Sequence, residues 1–395
     1  MNETDARNAV VAAGKRLVES GLIARTWGNV SARISDTHFV ITPSGRDYLS
    51  LTAEDIVPVA IADRSYTGSI KPSGERGVHA EIYRAHPHVN FVIHTHQEMA
   101  SIVASTSVHS IPAGAQYPEL GERVLCSDYA LPSTKAIREN VAAAARASTG
   151  NAIIMKNHGA VVYGEGPDEA FAAAEALEVL CRETIRARFL GGTSTGTGDD
   201  DAMRTRALSR IAPAGQESDS VLNWPHHSSE RAPGGFILHT EHGELPVPLA
   251  QAPETLSSEE RLHREIYLAQ PKISHVVYVA DPDVVGVSSA RVKLRPSIDD
   301  FAQIVGPTVK TAETPPEVAK ALRFASAVLL ASSGAYCVGG SLSDADAVRM
   351  ILVKNCRALL YGAFLGEITP ISQLHSILMR VVYLKSYSQQ ISSNV

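Results

Sequence analysis

The stretch that decides the fold runs from Ser73 to His96 and reads SGERGVHAEIYRAHPHVNFVIHTH. Its first part has the spacing of a helix from about Ser73 to His86, and Pro87 ends that helix because its ring removes a backbone N–H. The run from Asn90 to His96 predicts a strand. Alternation of helices and strands is typical of an α/β domain.

Two histidines at the end of this strand share one face. Residues two apart in a strand point the same way, so His94 and His96 project together. A third imidazole can come from His158, which follows the predicted strand from Ala152 to Lys156. Three imidazole nitrogens with an open position suit a divalent cation, and histidines satisfied by packing are the alternative.

The start of the helix carries a hydroxyl and a carboxylate. Ser73 is a candidate N-cap, and free backbone N–H groups there can hold an anion. Glu75 can ligate a resting cation or act as a general base, or it can be a first-turn Glu that the helix dipole favours. His79, one turn on, can orient Glu75 or fill the core.

Two further segments have the composition of anion-binding loops. Gly28-Asn29-Val30-Ser31 follows the N-terminal helix, predicted from Asp5 to Ser20, and Thr42-Pro43-Ser44-Gly45 follows a short strand. Glycine, asparagine and serine can offer N–H and O–H donors to a phosphate or carboxylate. Ordinary turns are the alternative for each.

The deciding stretch recurs in the second half of the chain. At an offset of 184 the matched pairs are Ser73–Ser257, Glu75–Glu259, His79–His263, Glu81–Glu265, Ile82–Ile266, Tyr83–Tyr267, Ala85–Ala269 and Pro87–Pro271. At an offset of 175 they are Gly159–Gly334, Ala160–Ala335, Cys181–Cys356 and Arg182–Arg357. Repeated residues in the same order predict an internal duplication.

The second copy lacks the three imidazoles. The residues that replace His94, His96 and His158 are Tyr278, Ala280 and Ser333. Glu259 and His263 remain, but a carboxylate without imidazoles does not form the same site. We therefore expect one cation per chain, and we interpret other histidines such as His227 and His239 as solvated or core residues.

The composition is that of a globular protein with a small-molecule partner. The chain has 395 residues, 44% of them hydrophobic, which suits two domains. A net charge of -6 without a basic block excludes a typical nucleic-acid or anionic-membrane binder.

The N-terminus lacks a signal pattern, and the longest apolar stretch, near Phe324 to Gly340, is too short for a membrane span. Four scattered cysteines favour a reducing cytoplasm.

A composition change marks the domain boundary. The sequence GGTSTGTGDDD from Gly191 to Asp201 has too little apolar surface to pack, which predicts a linker. The expected domains are residues 1–190 and 218–395, joined by a linker at 191–217 in which Ala202 to Ile211 can form a short helix.

Five motifs together resemble the class II aldolase/adducin family, of the L-fuculose-1-phosphate aldolase type. The likeness covers about residues 5 to 190 and keeps both order and spacing. The motifs are Gly28-Asn29-Val30-Ser31, Thr42-Pro43-Ser44-Gly45, Pro72-Ser73-Gly74-Glu75, His94-Thr95-His96 and Asn157-His158-Gly159.

The resemblance implies a fold and roles for individual residues. The implied fold is α/β, two tandem αβα domains, each with a central, mostly antiparallel sheet flanked by helices. His94, His96 and His158 would hold Zn²⁺, with Mn²⁺ or Co²⁺ as alternatives, and Glu75 would be the catalytic acid/base. Tyr117, after Ile111-Pro112, would donate a proton in a neighbouring subunit's site. The residues implied to bind an anionic substrate group are Gly28, Asn29, Ser44, Gly45 and Ser73.

One departure bears on the substrate. Ser73-Gly74-Glu75 stands where the family has Ser-Ser-Glu, so one hydroxyl donor is missing and phosphate specificity is in question. The expected activity is a metal-dependent lyase that cleaves a C–C bond through an enediolate. An aldolase on a ketose phosphate or related sugar acid comes first, and a decarboxylase of a hydroxy, keto or aromatic acid second. Dehydration stays open, while the family's epimerases carry Asp in place of Glu75.

An alternative of another class is an adducin-like scaffold without catalysis. Because the family forms four-fold rings with active sites between neighbours, a tandem chain is expected to form a homodimer, a pseudo-four-fold ring of active and inactive domains. The expected partner is a small anionic molecule, without nucleic acid or membrane, in the cytoplasm.

Overall fold

A computed structural model describes residues 1–20, 22–23, 27–191, 200–211 and 227–392. The chain divides into two compact units. The first unit comprises Met1–Gly196, Leu365–Thr369 and Tyr387–Val395, and the second comprises Thr197–Phe364 and Pro370–Ser386. Residues 192–199 and 212–217 of the predicted linker lie outside the described residues.

The first unit contains eight strands and five α-helices among the described residues. The strands are β1 (Gly28–Arg33), β2 (His38–Ile41), β3 (Val57–Ala60), β4 (Phe91–Thr95), β5 (Ser110–Pro112), β6 (Arg123–Ser127), β7 (Ala152–Met155) and β8 (Gly159–Gly164). The helices are α1 (Glu3–Glu19), α2 (Arg76–Ala85), α3 (Glu98–Ala104), α4 (Lys135–Ala147) and α5 (Pro167–Phe189), with 3-10 turns at Tyr48–Ser50, Ala53–Asp55 and Pro118–Leu120.

These strands form one sheet in the order β3-β2-β1-β4-β8-β7-β6-β5, antiparallel except for the pair β6 and β7. Alternate residues of β4 enter separate cores: Phe91 and Ile93 pack with α1, α3 and α5, and Val92 packs with α2 and α4. His94 follows Val92 on its face by the two-residue period. The expected αβα fold with a mostly antiparallel sheet is confirmed.

The second half repeats this order of elements. Its strands are β9 (Ser228–Ala232), β10 (Gly235–Thr240), β11 (Gly243–Pro248), β12 (His275–Val279), β13 (Thr311–Ala312), β14 (Ala327–Leu330) and β15 (Gly334–Gly339). Its helices are α6 (Asp200–Ile211), α7 (Ser258–Ala269), α8 (Pro282–Ser289), α9 (Pro315–Ala321), α10 (Leu342–Gly362) and α11 (Gln373–Ser392), with a 3-10 turn at Pro253–Thr255 and a π-helical turn at Phe301–Val305. The helix α6 lies within the predicted linker, where the sequence allowed a short helix.

The second sheet has the order β11-β10-β9-β12-β15-β14-β13, and only β13 and β14 are parallel. Strand for strand this matches the first sheet from β3 to β6. In the first unit Asn29 pairs with His94, and in the second the Tyr278 N–H donates to the His227 carbonyl at 3.0 Å. The expected second αβα domain is therefore present.

The helix α2 starts later than its sequence predicts. It begins at Arg76, with Glu75 as its N-cap residue, so Ser73 is not the N-cap. The Ser73 hydroxyl instead accepts the Glu75 N–H at 3.2 Å. In the second unit Ser257 does cap α7, because Glu260 completes a capping box that Arg76 cannot supply at the equivalent position.

A short segment from late in the chain completes the first unit. Ile368, in Leu365–Thr369, pairs with Thr106, and the Asn157 side-chain amide donates to the Thr369 carbonyl at 2.8 Å. Asn157, the residue before His158, is thereby held by a residue that lies more than 200 positions later in the chain.

Among the described residues, every helix is too short or too polar to cross a bilayer.

Candidate active site

Four side chains, from the end of β4, the turn between β7 and β8 and the start of α2, meet in one cluster of buried and partly buried groups. His94 lies in β4, His96 directly after it, His158 in the turn between β7 and β8, and Glu75 at the start of α2. Their ligand atoms all lie within 4.8 Å of one another. We call Glu75, His94, His96 and His158 the Glu–His cluster.

The distances within the Glu–His cluster are short. The two Glu75 carboxylate oxygens lie 2.9 Å from His94 Nε2 and 2.9 Å from His158 Nε2. His94 Nε2 also lies 2.8 Å from His96 Nε2. Only 12% of the Glu75 side chain and 1% of the His94 side chain is exposed. The groups therefore interact with little screening by water.

The hydrogen bonds of His94 define its tautomer. Its Nδ1 lies 2.9 Å from the Ala160 carbonyl, an acceptor only, so Nδ1–H donates. Burial lowers the pKa of His94, although Glu75 acts to raise it, and the neutral ring then presents the Nε2 lone pair to the cluster.

The Glu75 carboxylate is held in its charged form. Burial alone would raise the pKa of Glu75, but attraction by the His158 imidazole, and then by His94, holds it well below its usual range. A charged carboxylate at 2.9 Å from the His94 Nε2 lone pair places two acceptors face to face. Such a pair is stabilised by a shared proton or by a cation.

The cluster fits a divalent cation. Three imidazole nitrogens and a carboxylate are the donors that zinc-type ions take, at about 2.0–2.2 Å from the metal. The buried Glu75 Oε1 accepts no hydrogen bond among the described residues. The three predicted ligands His94, His96 and His158 thus lie together with Glu75.

Two glycines allow the backbone around the cluster to pack closely. A Cβ on Gly28 would lie 2.6 Å from the His94 carbonyl oxygen, and a Cβ on Gly159 would lie 2.2 Å from the Thr95 carbonyl oxygen. Gly28 also has a positive φ of 138°. In the turn before His158 it is Asn157, with φ of 56°, that adopts the left-handed conformation.

The two remaining predicted loops lie side by side. The Ser44 N–H donates to the Lys71 carbonyl at 2.9 Å, and the Ser73 N–H donates to the Thr42 carbonyl at 3.1 Å. Gly45 follows with φ of 73°. Because the Ser44 and Ser73 N–H groups are already used, these serines can offer a ligand only their hydroxyls.

Asn29 connects the cluster to the sheet. Its amide nitrogen lies 3.4 Å from Glu75 Oε2, and its amide oxygen lies 2.5 Å from His79 Nε2. The structure thus brings Asn29 to the cluster, and its expected role in binding the substrate's anionic group stays a prediction.

Tyr117 lies elsewhere in the first unit. It precedes the 3-10 turn Pro118–Leu120, and its hydroxyl donates to Glu183 Oε2 on α5 at 2.9 Å. Burial and this hydrogen bond raise the pKa of Tyr117. Its expected role was in a neighbouring subunit's site, so that role stays a prediction.

Sequence reasoning named His79 and Ser31 but missed the hydrogen bonds that join them to each other and to Tyr83. The Ser31 hydroxyl lies 2.6 Å from His79 Nδ1 and 2.8 Å from the Tyr83 hydroxyl, and all three residues are buried. The signal was available, because Ser229, His263 and Tyr267 repeat them.

Aromatic side chains occupy the equivalent place in the second unit. Tyr278 donates to the Ser333 carbonyl at 2.6 Å and stacks on His227 with ring centroids 4.5 Å apart. His227 Nε2 lies 3.1 Å from the Tyr336 hydroxyl. His227 is buried, as the core alternative predicted. We call His227, Tyr278, Ser333 and Tyr336 the tyrosine plug. No three metal-ligating side chains converge among the described residues of this unit alone.

Comparisons with known proteins find relatives that each match about half of this chain. A 5-deoxy-D-ribulose 1-phosphate aldolase from Bacillus thuringiensis serovar kurstaki is 29% identical over 186 residues, which are 47% of this chain and 86% of that protein. A methylthioribulose-1-phosphate dehydratase from Yersinia enterocolitica is 29% identical over 201 residues, 48% of this chain and 96% of that protein.

Among solved structures, an L-fuculose 1-phosphate aldolase is 27% identical with a TM-score of 0.45, covering 50% of this chain and 93% of its own. An L-fuculose-1-phosphate aldolase from Thermus thermophilus is 26% identical with a TM-score of 0.41, covering 48% and 97%. The model of the class II aldolase and adducin N-terminal domain matches residues 8–185 and 233–360. Because these two segments make up well over half of the chain, the protein belongs to the class II aldolase and adducin family.

Proposed function

We propose that the protein is a metal-dependent lyase that cleaves a C–C bond of a hydroxy-carbonyl substrate, as an aldolase on a ketose phosphate or a related sugar acid. The observation that carries the proposal is the Glu–His cluster, in which the Glu75 carboxylate contacts His94 and His158 at 2.9 Å. The two sugar-phosphate relatives support a substrate of this class.

His94, His96 and His158 would hold the cation, with Zn²⁺ first and Mn²⁺ or Co²⁺ as alternatives. When bound, it would supply Lewis-acid stabilisation of the negative charge that develops on the substrate oxygens. The His94 Nδ1–H bond to the Ala160 carbonyl keeps the Nε2 lone pair directed at the ligand site.

Glu75 would hold or move the proton. Its Oε2 faces His94 and the Asn29 amide, while Oε1 faces His158. Its position before the first turn of α2 lets the carboxylate reach the cluster. Tyr117 stays the proposed proton donor for a neighbouring subunit.

The hydroxyls of Ser44 and Ser73, with the backbone at Gly28 and Gly45 and the amide of Asn29, would bind the substrate's anionic group. Ser73 accepts the Glu75 N–H, which leaves its own O–H to donate. Gly74 supplies no hydroxyl, and this favours the second candidate, a decarboxylase, whose substrate carries a carboxylate. The relative named as a dehydratase keeps loss of water as a third outcome.

The decisive experiment is a screen of sugar phosphates and hydroxy acids with mass-spectrometric detection of products. An aldehyde with a three-carbon ketone supports the aldolase, and release of carbon dioxide supports the decarboxylase. Water loss without C–C cleavage would contradict both. The Glu75→Gln variant should lose the activity, and Glu259→Gln is the matched control in the second unit. Absence of both turnover and bound cation would support the adducin-like scaffold instead.

We further propose that the two halves, residues 1–190 and 218–395, arose by duplication and that a homodimer forms a pseudo-four-fold ring of domains. The long helix α11 supports self-association, because large apolar side chains along it are exposed; they are Leu374, Ile377, Leu378, Val381, Val382 and Leu384. Light scattering should give the mass of two chains, and a mass of one or four would contradict the ring. Cytoplasmic location stays a prediction.

A further inference from the structure

A row of buried polar groups runs from the core of the first unit to Glu75. Tyr83 contacts Ser31 at 2.8 Å, Ser31 contacts His79 at 2.6 Å, and His79 contacts Asn29 at 2.5 Å. Asn29 then contacts Glu75 at 3.4 Å. Ser31 lies in β1, His79 and Tyr83 lie in α2, and all three side chains are buried. None of the three has a role in the proposed chemistry.

The chemistry of these groups allows one direction of donation. The Glu75 carboxylate only accepts, so the Asn29 amide N–H faces it and the Asn29 Oδ1 faces His79. Oδ1 also only accepts, so His79 must donate from Nε2–H, and its Nδ1 then accepts from the Ser31 hydroxyl. Ser31 in turn accepts from Tyr83.

The ionisation of His79 agrees with this direction. Burial lowers the pKa of His79 to about 3, so the ring is neutral at neutral pH and carries one N–H. A neutral ring can accept at Nδ1 while it donates at Nε2, as the row requires.

The second unit contains the same row without its end. Ser229 lies 2.6 Å from His263 Nδ1 and 2.9 Å from the Tyr267 hydroxyl, but His227 replaces Asn29. There the buried His263 Nε2 has no hydrogen-bond partner among the described residues. The Ser–His–Tyr part therefore belongs to the fold, and only Asn29 extends it to a reactive carboxylate.

We propose that His79 is a positioning residue, which holds the Asn29 amide with its N–H toward Glu75 Oε2 and so fixes the orientation of the Glu75 carboxylate. This rests on the proposed function of Glu75. If the amide rotated by 180°, its oxygen would face the carboxylate, and two acceptors would repel each other. A fixed His79 donor prevents that rotation.

The test compares equivalent substitutions in the two units. His79→Phe should lower kcat/KM for the substrate found in the screen by about tenfold to a hundredfold, mainly through kcat, as loss of an outer-sphere partner typically does. His263→Phe removes an equivalent ring from equivalent Ser and Tyr partners and should leave kcat/KM within about twofold. Equal losses in both variants would overturn the proposal.

Two further variants separate positioning from folding. His79→Gln retains an N–H that can reach Asn29 Oδ1 and should restore most of the activity. In an Asn29→Ala background, His79→Phe should cause no further loss, because the residue through which it acts is gone. A full additional loss there would overturn the proposal.

An activity-independent measurement distinguishes this proposal from the proposed function. NMR spectra of protein labelled with ¹⁵N-histidine give the protonation of each ring. The signals of His79 are those that are absent from the spectrum of His79→Gln. At pH 7 they should show a neutral ring with its proton on Nε2. A ring protonated at Nδ1 would overturn the positioning role. If wild-type protein turns over none of the screened substrates but His79 carries its proton on Nε2, the proposed lyase function is contradicted. The hydrogen-bond arrangement proposed for His79 then still holds.

Discussion

Beneath the Glu–His cluster of the first unit, Ser31 bonds to both a histidine and a tyrosine, and Ser229 does the same beneath the tyrosine plug of the second. Arg33 and Arg231 also correspond, since each lies 4.7 Å from the ring of its tyrosine and each donates to a backbone carbonyl at 2.8 Å. The difference lies above this shared framework. Framework residues are needed for the sheet and helix to pack, whereas the imidazoles can be replaced without disturbing that packing.

The two helix starts show a second difference. Glu259 lies inside the first turn of α7, because the capping box of Ser257 and Glu260 starts the helix on the N-terminal side of Glu259. Glu75 precedes α2, where Arg76 stands in place of that second glutamate. A single missing capping partner therefore leaves the Glu75 carboxylate outside the helix, where it can reach the imidazoles.

Removing a ligand should have the largest effect. His158→Ala should reduce the bound cation from about one per chain to nearly none, because the remaining donors cannot complete the site. Turnover should disappear with it. Ser333→Ala, its counterpart in the second unit, should change neither quantity, as judged by metal analysis of purified protein. A value of about two cations per wild-type chain would contradict the proposed difference between the units, because the second unit would then bind a cation as well.

Neutralising the carboxylate should come next. Glu75→Gln should keep the cation but lower kcat by about 10²–10⁴-fold, the usual contribution of a general acid/base. Glu259→Gln should leave kcat unchanged because that residue lies on a helix without a reactive site. Steady-state kinetics on both variants measures the contrast, and equal losses would argue against a passive second unit.

Breaking the tyrosine plug should affect stability without affecting turnover. Tyr278→Phe removes the donor to the buried Ser333 carbonyl, and an unsatisfied buried acceptor typically lowers the free energy of unfolding by about 1–3 kcal/mol. Urea denaturation gives the change, and kcat/KM serves as its control. A loss of turnover equal to that of Glu75→Gln would show that the plug takes part in the reaction.

The smallest expected effect is a pH dependence that both units share. Burial lowers the pKa of His263 well below its usual value, with His227 acting in the same direction, and Ser229, Tyr267 and Tyr336 are the other polar groups around it. The unfolded chain therefore takes up a proton below about pH 6.5 that the folded chain does not. Stability should fall as the pH drops through that value, by up to about 1.4 kcal/mol per pH unit for each such histidine.

The control for this pH dependence is His263→Gln, which should flatten the pH profile of the urea midpoint between about pH 6.5 and 5. If the pH profile of the urea midpoint is unchanged in His263→Gln, groups other than His263 cause the loss of stability at low pH. The predicted role of the buried histidine would then be wrong.

Local patterns were sufficient to predict much of this molecule. The two-residue period of β4 placed His94 and His96 on one face, and the helix before Pro87 was found within three residues at its start. The repeats at offsets of 184 and 175 predicted the second domain and the loss of its imidazoles. Each of these depends on residues close together in the chain or on direct identity between copies.

Other features depend on pairing between distant segments. No local pattern shows that β1 lies beside β4, which is what brings Asn29 to His94 and thereby to Glu75. The tyrosine plug was missed for the same reason, because His227 and Tyr336 are more than 100 residues apart and meet only through the order of the strands. Register between distant strands is determined by the whole core.

The short segment Leu365–Thr369 has a consequence for how the chain is made. Its contacts with Thr106 and Asn157 mean that the turn before His158 lacks one of its hydrogen-bond partners until translation has passed residue 369. At about 5–20 residues per second, the ribosome needs roughly ten seconds or more to make the intervening stretch. The first unit can therefore reach its final form only after residue 369 has been synthesised, so the two halves are linked in the order of folding as well as in sequence.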